Sequence, residues 1–209
     1  MENLNFYILT GGPGSGKSTV LKLLSDMGYL TVEETGRNII QKQIKSLGDA
    51  VPWNNVSRYA RLMFLHAITD FEELVHVQKT CFFDRGILDI LGYCRLINIP
   101  IATSLKKAAH EYRYNPKVFL FPPWEEIYTN DTERKQDFKE AERTYHVLKN
   151  VYEEFGYQTV IVPHLTPINR AQWIIENPNY QLAICTTKTV FTPFFRWTFL
   201  AILMDIFFI

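Results

Sequence analysis

The chain has 209 residues, of which 47% are apolar and 21% are charged, so it is globular and can bury a sizeable core within one domain. Lys plus Arg and Asp plus Glu both number 22, and the formal net charge of zero argues against broad nucleic-acid binding. The three cysteines lack metal-site spacing, and the N-terminus lacks the pattern of a secretory signal. We therefore expect a cytoplasmic protein without a zinc site.

The first predicted strand, residues 6–9, leads into a glycine-rich loop and then into a helix. The loop sequence G-G-P-G-S-G-K-S completes the phosphate-binding pattern G-x-x-x-x-G-K-S in the strand–loop–helix setting that this pattern requires. We expect its backbone N–H groups to hold the phosphates of ATP or GTP, with Lys17 on the β- and γ-phosphates and Ser18 on Mg²⁺. The predicted nucleotide-binding residues are Gly11, Gly12, Pro13, Gly14, Ser15, Gly16, Lys17, Ser18 and Thr19.

Acidic residues follow the second predicted strand, which covers residues 29–32. The helix before this strand is predicted to end near residue 26. Glu33 and Glu34 come directly after this strand, and Arg37 follows shortly. Ligands of open parallel sheets lie beyond the C-terminal strand ends, so one of these carboxylates could act as a general base beside the phosphates. The alternative is a solvated acidic turn that opens the next helix.

A third strand, continuously apolar, is predicted over residues 80–83 and ends in a charged pair. Asp84 has the usual position of the second carboxylate on the Mg²⁺ side of phosphate-loop proteins. Arg85 could bind a phosphate or carboxylate through its guanidinium group. Its alternative role is a structural ion pair with Asp89, which lies one helical turn later.

The remaining elements continue the alternation of strands and helices, which predicts an α/β fold with a five-stranded parallel sheet flanked by helices. A highly charged segment, residues 130–137, resembles a mobile flap over the nucleotide. Arg134 in this segment and Arg143 on the next helix are candidates to stabilise a transferring phosphoryl group, and the alternative is a solvated charged face. Further strands are predicted over residues 118–121 and 159–162, and helices over 37–47, 57–77, 87–96, 104–112, 138–155 and 167–176.

Several motifs occur together in this chain: T-G-G-P-G-S-G-K-S-T at residues 10–19, V-E-E-T-G-R at 32–37, F-F-D-R-G-x-x-D at 82–89, E-R at 133–134 and Y-E-E-F-G-Y-x-x-V-x-V-P at 152–163. This set resembles the NadR-like AAA domain family, which includes ribosylnicotinamide-kinase-like domains and the TRPL translocation defect protein. The resemblance implies a kinase-like P-loop NTPase sheet, binding of ATP or GTP with Mg²⁺, and a helical lid. By position, Asp84 and Arg85 match the D-R pair that handles metal and substrate in related kinases.

The C-terminal tail, residues 178–209, departs from the family pattern, and we predict that the kinase-like domain ends at residue 177. Residues 190–209 are mostly apolar, and about 20 apolar residues suffice to span a bilayer. Three interpretations stay open. The tail is a membrane anchor, a segment that packs on the domain or on a second subunit, or an end whose sequence was not shaped by this fold.

The function predicted from these features is Mg²⁺-dependent phosphoryl transfer from a nucleoside triphosphate to a hydroxyl of a small nucleoside-like acceptor. Ser18 and Asp84 are the expected metal ligands. The alternative is a nucleotide-dependent binding switch or ATPase that interacts with a protein partner or an acidic membrane lipid. The predicted catalytic residues are Lys17, Asp84, Arg85, Glu33, Glu34 and Arg134.

Overall fold

The computed structural model describes residues 1–128 and 137–177. Met1–Ile175 forms one compact unit, and a second unit begins at Glu176 and lies almost entirely outside the described residues. The predictions for Arg134, for residues 130–136 of the charged flap and for the apolar tail also fall outside them. Within the described ranges, no helix has both the length and the apolar character needed to cross a membrane.

A parallel sheet of five strands, in the order β2-β3-β1-β4-β5, forms the centre of the compact unit. The predicted α/β fold is therefore confirmed, with small shifts at the strand ends. The three central strands are buried along their whole length, whereas β2 and β5 at the sheet edges are only partly covered. The strands are β1 Phe6–Gly11, β2 Leu30–Val32, β3 Cys81–Asp84, β4 Lys117–Phe121 and β5 Gln158–Ile161.

Helices cover both faces of the sheet, which explains why the central strands are continuously apolar. Along β1, Phe6 and Ile8 pack in a core beneath α3–α6, while Tyr7 and Leu9 pack in a second core beneath α1 and α7. Alternate side chains of one strand thus serve opposite layers. The helices are α1 Lys17–Asp26, α2 Thr35–Lys45, α3 Val56–Leu74, α4 Ile87–Leu96, α5 Thr103–Glu111, α6 Phe138–Glu154 and α7 Pro167–Glu176.

The strand order places the glycine-rich loop next to the end of β3. β1 lies between β3 and β4, and Leu9 of β1 is in register with Asp84 of β3. The loop that leaves β1 therefore emerges beside Asp84 and Arg85. The helix after β2 begins at Thr35, earlier than predicted, so Arg37 belongs to its first turn.

The glycine-rich loop also packs closely against α6, and this contact leads to a testable prediction. A Cβ atom on Gly12 would lie 2.4 Å from the carbonyl oxygen of Ala141, and no side-chain rotation can relieve a clash with backbone. We expect Gly12→Ala to lower the free energy of unfolding by about 1–3 kcal/mol, as overpacking does elsewhere. Chemical denaturation measures this change.

Gly48→Ala is the matched control. A Cβ atom at Gly48 would meet only the end of the Gln43 side chain, which can move away at the cost of the one hydrogen bond that its Oε1 accepts from the Ala50 N–H at 3.1 Å. We expect its cost to stay below that of Gly12→Ala, and equal costs for the two variants would contradict the proposed contact between the loop and α6.

Candidate functional site

The loop between β1 and α1 has the backbone geometry of an anion-binding loop. Gly14 and Gly16 have φ angles of 71° and 83°, which residues with a side chain rarely adopt. Gly16 is the N-cap of α1, and it has no side chain to accept a hydrogen bond from the first N–H groups of that helix. These N–H groups and the positive end of the helix dipole are suited to bind a phosphate.

Lys17 is buried against this loop. Its Nζ donates hydrogen bonds to the carbonyl oxygens of Gly11 at 3.2 Å and Gly12 at 2.8 Å, and to Ser15 Oγ at 3.2 Å. The ammonium group is thus held within the loop itself. A positive charge at this place supplements the N–H groups in binding a polyphosphate.

Asp84 and Ser18 form a pair that suits a divalent cation. Ser18 Oγ donates a hydrogen bond to Asp84 Oδ2 at 3.1 Å, while Oδ1 of the same carboxylate is buried and finds no hydrogen-bond partner among the described residues. Burial raises the pKa of Asp84, and the nearby Glu34 adds to this effect, whereas Lys17 and Arg85 oppose it. A cation on this carboxylate would satisfy Oδ1 and compensate its burial.

This pair has the donor chemistry that Mg²⁺ uses in phosphate-binding proteins. Mg²⁺ commonly takes one or two carboxylates together with phosphate oxygens and water, rather than a complete protein cage. Among residues 1–128 and 137–177, no group of three or more His, Cys, Asp or Glu side chains could hold a metal. The oxygens of Ser18 and Asp84 suit a cation whose other ligands come from the nucleotide and from water.

Arg85 joins the phosphate-binding loop to the acidic residues after β2. Its Nη1 donates to the Gly11 carbonyl oxygen at 3.3 Å and to Asp89 Oδ1 at 3.2 Å, and its Nε lies 3.5 Å from Glu34 Oε1. Burial disfavours the charge on Arg85, but Glu34, Asp89 and Asp84 outweigh this and raise its pKa. The guanidinium group therefore stays charged. The expected ion pair with Asp89 is present, and it leaves Arg85 beside the loop.

The two candidate carboxylates after β2 have different surroundings. Glu34 is partly buried and faces Arg85, whereas Glu33 is exposed. The charge of Glu34 contributes to the raised pKa of Asp84, after burial, which is the main cause. The Arg143 guanidinium group contacts residues of α4 and α6 instead: it donates to the Leu96 carbonyl oxygen at 2.7 Å and lies 3.6 Å from the Glu140 carboxylate.

A cavity of about 850 Å³ adjoins these residues. Glu34, Asp84 and Arg85 line its end beside the loop, together with Pro13 of the loop itself. Its other walls come from α2, the loop between α2 and α3, α3, α4 and α6, and they are mainly apolar and aromatic. These walls include Ile40, Trp53, Tyr59, Met63, Tyr93 and Leu148.

Asp89 has a wider role than the ion pair that the sequence suggests. It is buried and accepts hydrogen bonds from Thr10 Oγ1 at 2.6 Å, the Gly86 backbone N–H at 2.8 Å and the Tyr152 hydroxyl at 2.6 Å. Through these hydrogen bonds, Asp89 connects β1, the start of α4 and α6, next to the Arg85 guanidinium group. The motif F-F-D-R-G-x-x-D contains Asp89, but only the fold reveals its partners on β1 and α6.

Arg170 is a further residue at the loop that the sequence analysis missed. Its side chain is buried, and it donates to the Ser15 carbonyl oxygen at 2.9 Å and to the Pro163 carbonyl oxygen at 3.2 Å. The guanidinium carbon lies 4.9 Å from the ring centre of Phe121 and 5.2 Å from that of Trp124. Arg170 thus connects the glycine-rich loop to the segment after β5 through hydrogen bonds. As a single charge on an amphipathic helix, it gave no signal in the sequence.

The loop, the Asp–Arg pair and the adjoining cavity define a P-loop protein with the architecture of a nucleoside or nucleotide kinase. The chain belongs to the AAA domain family that its motifs indicated, since the family model described as an AAA domain matches residues 6–170. The predicted family membership is therefore confirmed.

Solved structures share this fold at low sequence identity. NadR in complex with NR is 17% identical, with a TM-score of 0.60 over 84% of this chain and 50% of the NadR chain. Deoxyadenosine kinase from M. mycoides, with dCMP and a flexible dCDP bound, is 15% identical, with a TM-score of 0.55 over 83% of this chain and 98% of its own. Thymidylate kinase from Ehrlichia chaffeensis is 14% identical, with a TM-score of 0.56 over 82% and 96%. Kinases that act on different acceptors thus share the architecture.

Proposed function

We propose that this protein transfers a phosphoryl group from ATP or GTP to a hydroxyl group of a small nucleoside-like acceptor, with Mg²⁺. The observation that carries the proposal is the continuity of the site: a cavity of about 850 Å³ begins at the phosphate-binding loop and is lined there by Asp84, Arg85 and Glu34. A hydrolase needs space only for water at this position, whereas this cavity has room for a second substrate. The nucleosides and nucleotides named for the similar kinases agree with an acceptor of this size.

The charged residues around the loop take complementary roles in this reaction. Lys17 and the loop N–H groups bind the β- and γ-phosphates, and Ser18 and Asp84 are the residues that hold the metal. Bound Mg²⁺ supplies positive charge that neutralises the phosphate oxygens. Arg85 stabilises the charge of the phosphoryl group in transfer.

Glu34 is the carboxylate that prepares the acceptor hydroxyl. It lies next to Arg85, at the end of the cavity that the transferred group must reach. There it accepts the proton, or orients the hydroxyl for attack in line with the leaving phosphate. We expect Glu34→Gln to lower kcat by about 100-fold, in keeping with the usual contribution of general acid–base catalysis.

Glu33→Gln is the matched control, because Glu33 also lines the cavity but is exposed, whereas Glu34 is partly buried beside Arg85. We expect this variant to keep most of the wild-type kcat. Comparable losses in the two variants would reject the assignment of Glu34 as the base.

Release of nucleoside diphosphate by the full chain tests the function as a whole. ATP and GTP are offered with Mg²⁺, first alone and then with adenosine, cytidine, thymidine or nicotinamide riboside. We expect release that rises and saturates with at least one acceptor. Nucleotide binding without any stimulation by acceptors would reject the kinase and favour the binding switch. Appreciable release without acceptor would favour an ATPase.

A further inference from the structure

A carboxylate in the cavity wall has no role in the transfer step proposed above. Asp70 lies on α3 and lines the cavity, on the same face of the helix as Met63 and Ala67. The described residues give it one hydrogen bond, from Thr35 Oγ1 to Oδ2 at 3.4 Å. This distance is long for a hydroxyl donor, so the bond compensates little of the cost of placing a carboxylate there.

The surroundings of Asp70 make it a strong hydrogen-bond acceptor for a ligand. Burial is the main cause of its raised pKa, and His66 and the bond from Thr35 offset this effect in part. An ionised carboxylate offers about four lone-pair positions, of which Thr35 occupies one. A ligand N–H group at this place would meet an acceptor that the protein leaves largely unsatisfied.

Asp70 shares the cavity lining with buried aromatic residues. Tyr114 is buried and lines the same cavity, together with Phe83. Burial is the main cause that raises the pKa of the Tyr114 hydroxyl. Thr35, which donates to Asp70, begins α2 in the same wall and connects Asp70 to the neighbouring Glu34.

Resting on the proposed function, we propose that Asp70 determines acceptor specificity by binding an amino or amide N–H group on the ring of a planar acceptor. The ring packs against the aromatic wall that includes Tyr59 and Tyr93, whose own rings meet edge to face at 5.8 Å. The hydroxyl of the same acceptor then faces Glu34 and Arg85. An acceptor whose ring lacks a hydrogen-bond donor leaves Asp70 unpaired. An acceptor whose ring carries a carboxylate is repelled by Asp70.

The charges around the cavity favour the same class of acceptor. Across residues 1–128 and 137–177, the guanidinium groups that line it belong to Arg37 and Arg85, and they face a larger set of carboxyl groups. This excess disfavours an acceptor that already carries a phosphate or carboxylate. The carboxyl groups belong to Glu33, Glu34, Asp70, Asp84, Asp89 and Glu140.

Equilibrium binding of matched acceptors to the full chain with MgADP tests the proposal. The pairs are adenosine with purine riboside, which lacks the amino group, and nicotinamide riboside with nicotinic acid riboside, which carries a carboxylate instead of the amide. In at least one pair, we expect wild type to bind the donor-bearing member about tenfold more tightly, the usual effect of one hydrogen bond to a charged group. Asp70→Leu should reduce this preference to about twofold or less, while Asp70→Asn should retain part of it.

Glu73→Leu is the matched control on α3, because Glu73 is exposed and does not line the cavity. It should keep the wild-type preference, and the melting temperature of each variant shows that the fold is intact. The proposal is overturned if wild type binds none of the four acceptors, if it does not discriminate within either pair, or if Asp70→Leu keeps the preference.

Release of nucleoside diphosphate, measured in parallel, separates this proposal from the proposed function. Selective binding that depends on Asp70, without release stimulated by an acceptor, supports the subsite and rejects phosphoryl transfer. Stimulated release without discrimination within either pair supports phosphoryl transfer and rejects the role of Asp70.

Discussion

Lys17→Met is expected to reduce acceptor-dependent release of nucleoside diphosphate by about 1,000-fold or more, while the protein stays folded. The ammonium group of Lys17 is the positive charge held inside the loop, within hydrogen-bond distance of the Gly11 and Gly12 carbonyl oxygens. Methionine has a similar length but no charge, so the loop keeps its N–H groups and loses its cation. The loss should be greater in the transition state than in nucleotide binding, because the leaving phosphate gains charge during transfer.

Lys22→Met makes the same change at an exposed position of α1 and should retain wild-type activity. The measurements are release of nucleoside diphosphate at saturating acceptor, calorimetric binding of the nucleotide, and thermal unfolding of both variants. A Lys17→Met enzyme within about tenfold of the wild-type rate would contradict the role assigned to Lys17.

The fold could be predicted from the sequence because its signals are local. The phosphate-binding motif lies between a strand and a helix, and the apolar strands are separated by charged or proline-containing segments. The first and last residues of the helices and strands were predicted less accurately than the elements themselves. The second helix was predicted to begin at residue 37, whereas α2 already begins at Thr35. Such shifts are expected where only a few backbone hydrogen bonds distinguish a turn from the first turn of a helix.

The candidate site could be predicted only where a residue lies at a strand end. Ser18 was predicted as a metal ligand from the phosphate-loop motif and Asp84 from its position after an apolar strand, and the two side chains lie within a hydrogen bond of 3.1 Å of each other. The choice between Glu33 and Glu34 depended on which side chain faces Arg85. That orientation is a tertiary property and has no signal in two adjacent glutamates.

Residues that reach the site from remote helices had even weaker signals. Asp70 occurs within a helix whose pattern fits a solvated polar face, and Arg170 is one charge near the end of the domain. Their importance follows from burial and from the partners that packing gives them. Arg170 contacts the carbonyl oxygen of Ser15, far away in the sequence. No spacing rule connects such positions.

Asp84→Asn should lower the rate of phosphoryl transfer by about 1,000-fold and raise the Mg²⁺ concentration needed for half-maximal rate. The amide keeps the shape of the side chain but removes its negative charge and replaces one oxygen by a donor. Stability should not fall, because the wild-type carboxylate is buried, one of its oxygens has no hydrogen-bond partner in the part of the chain that the structure describes, and its ionisation is costly without a cation. A loss of activity together with unchanged or increased stability indicates a residue retained for function.

Asp89→Asn is the informative comparison, because Asp89 is a second buried aspartate near the same end of β3. Its carboxylate accepts hydrogen bonds from Thr10, Arg85, Gly86 and Tyr152, so the amide would leave at least one donor unsatisfied. We expect this variant to lower the free energy of unfolding by about 1–3 kcal/mol. Chemical denaturation of both variants without Mg²⁺ measures the contrast. If Asp84→Asn proved as destabilising as Asp89→Asn, Asp84 would be a structural residue, and the Mg²⁺ site would need other ligands.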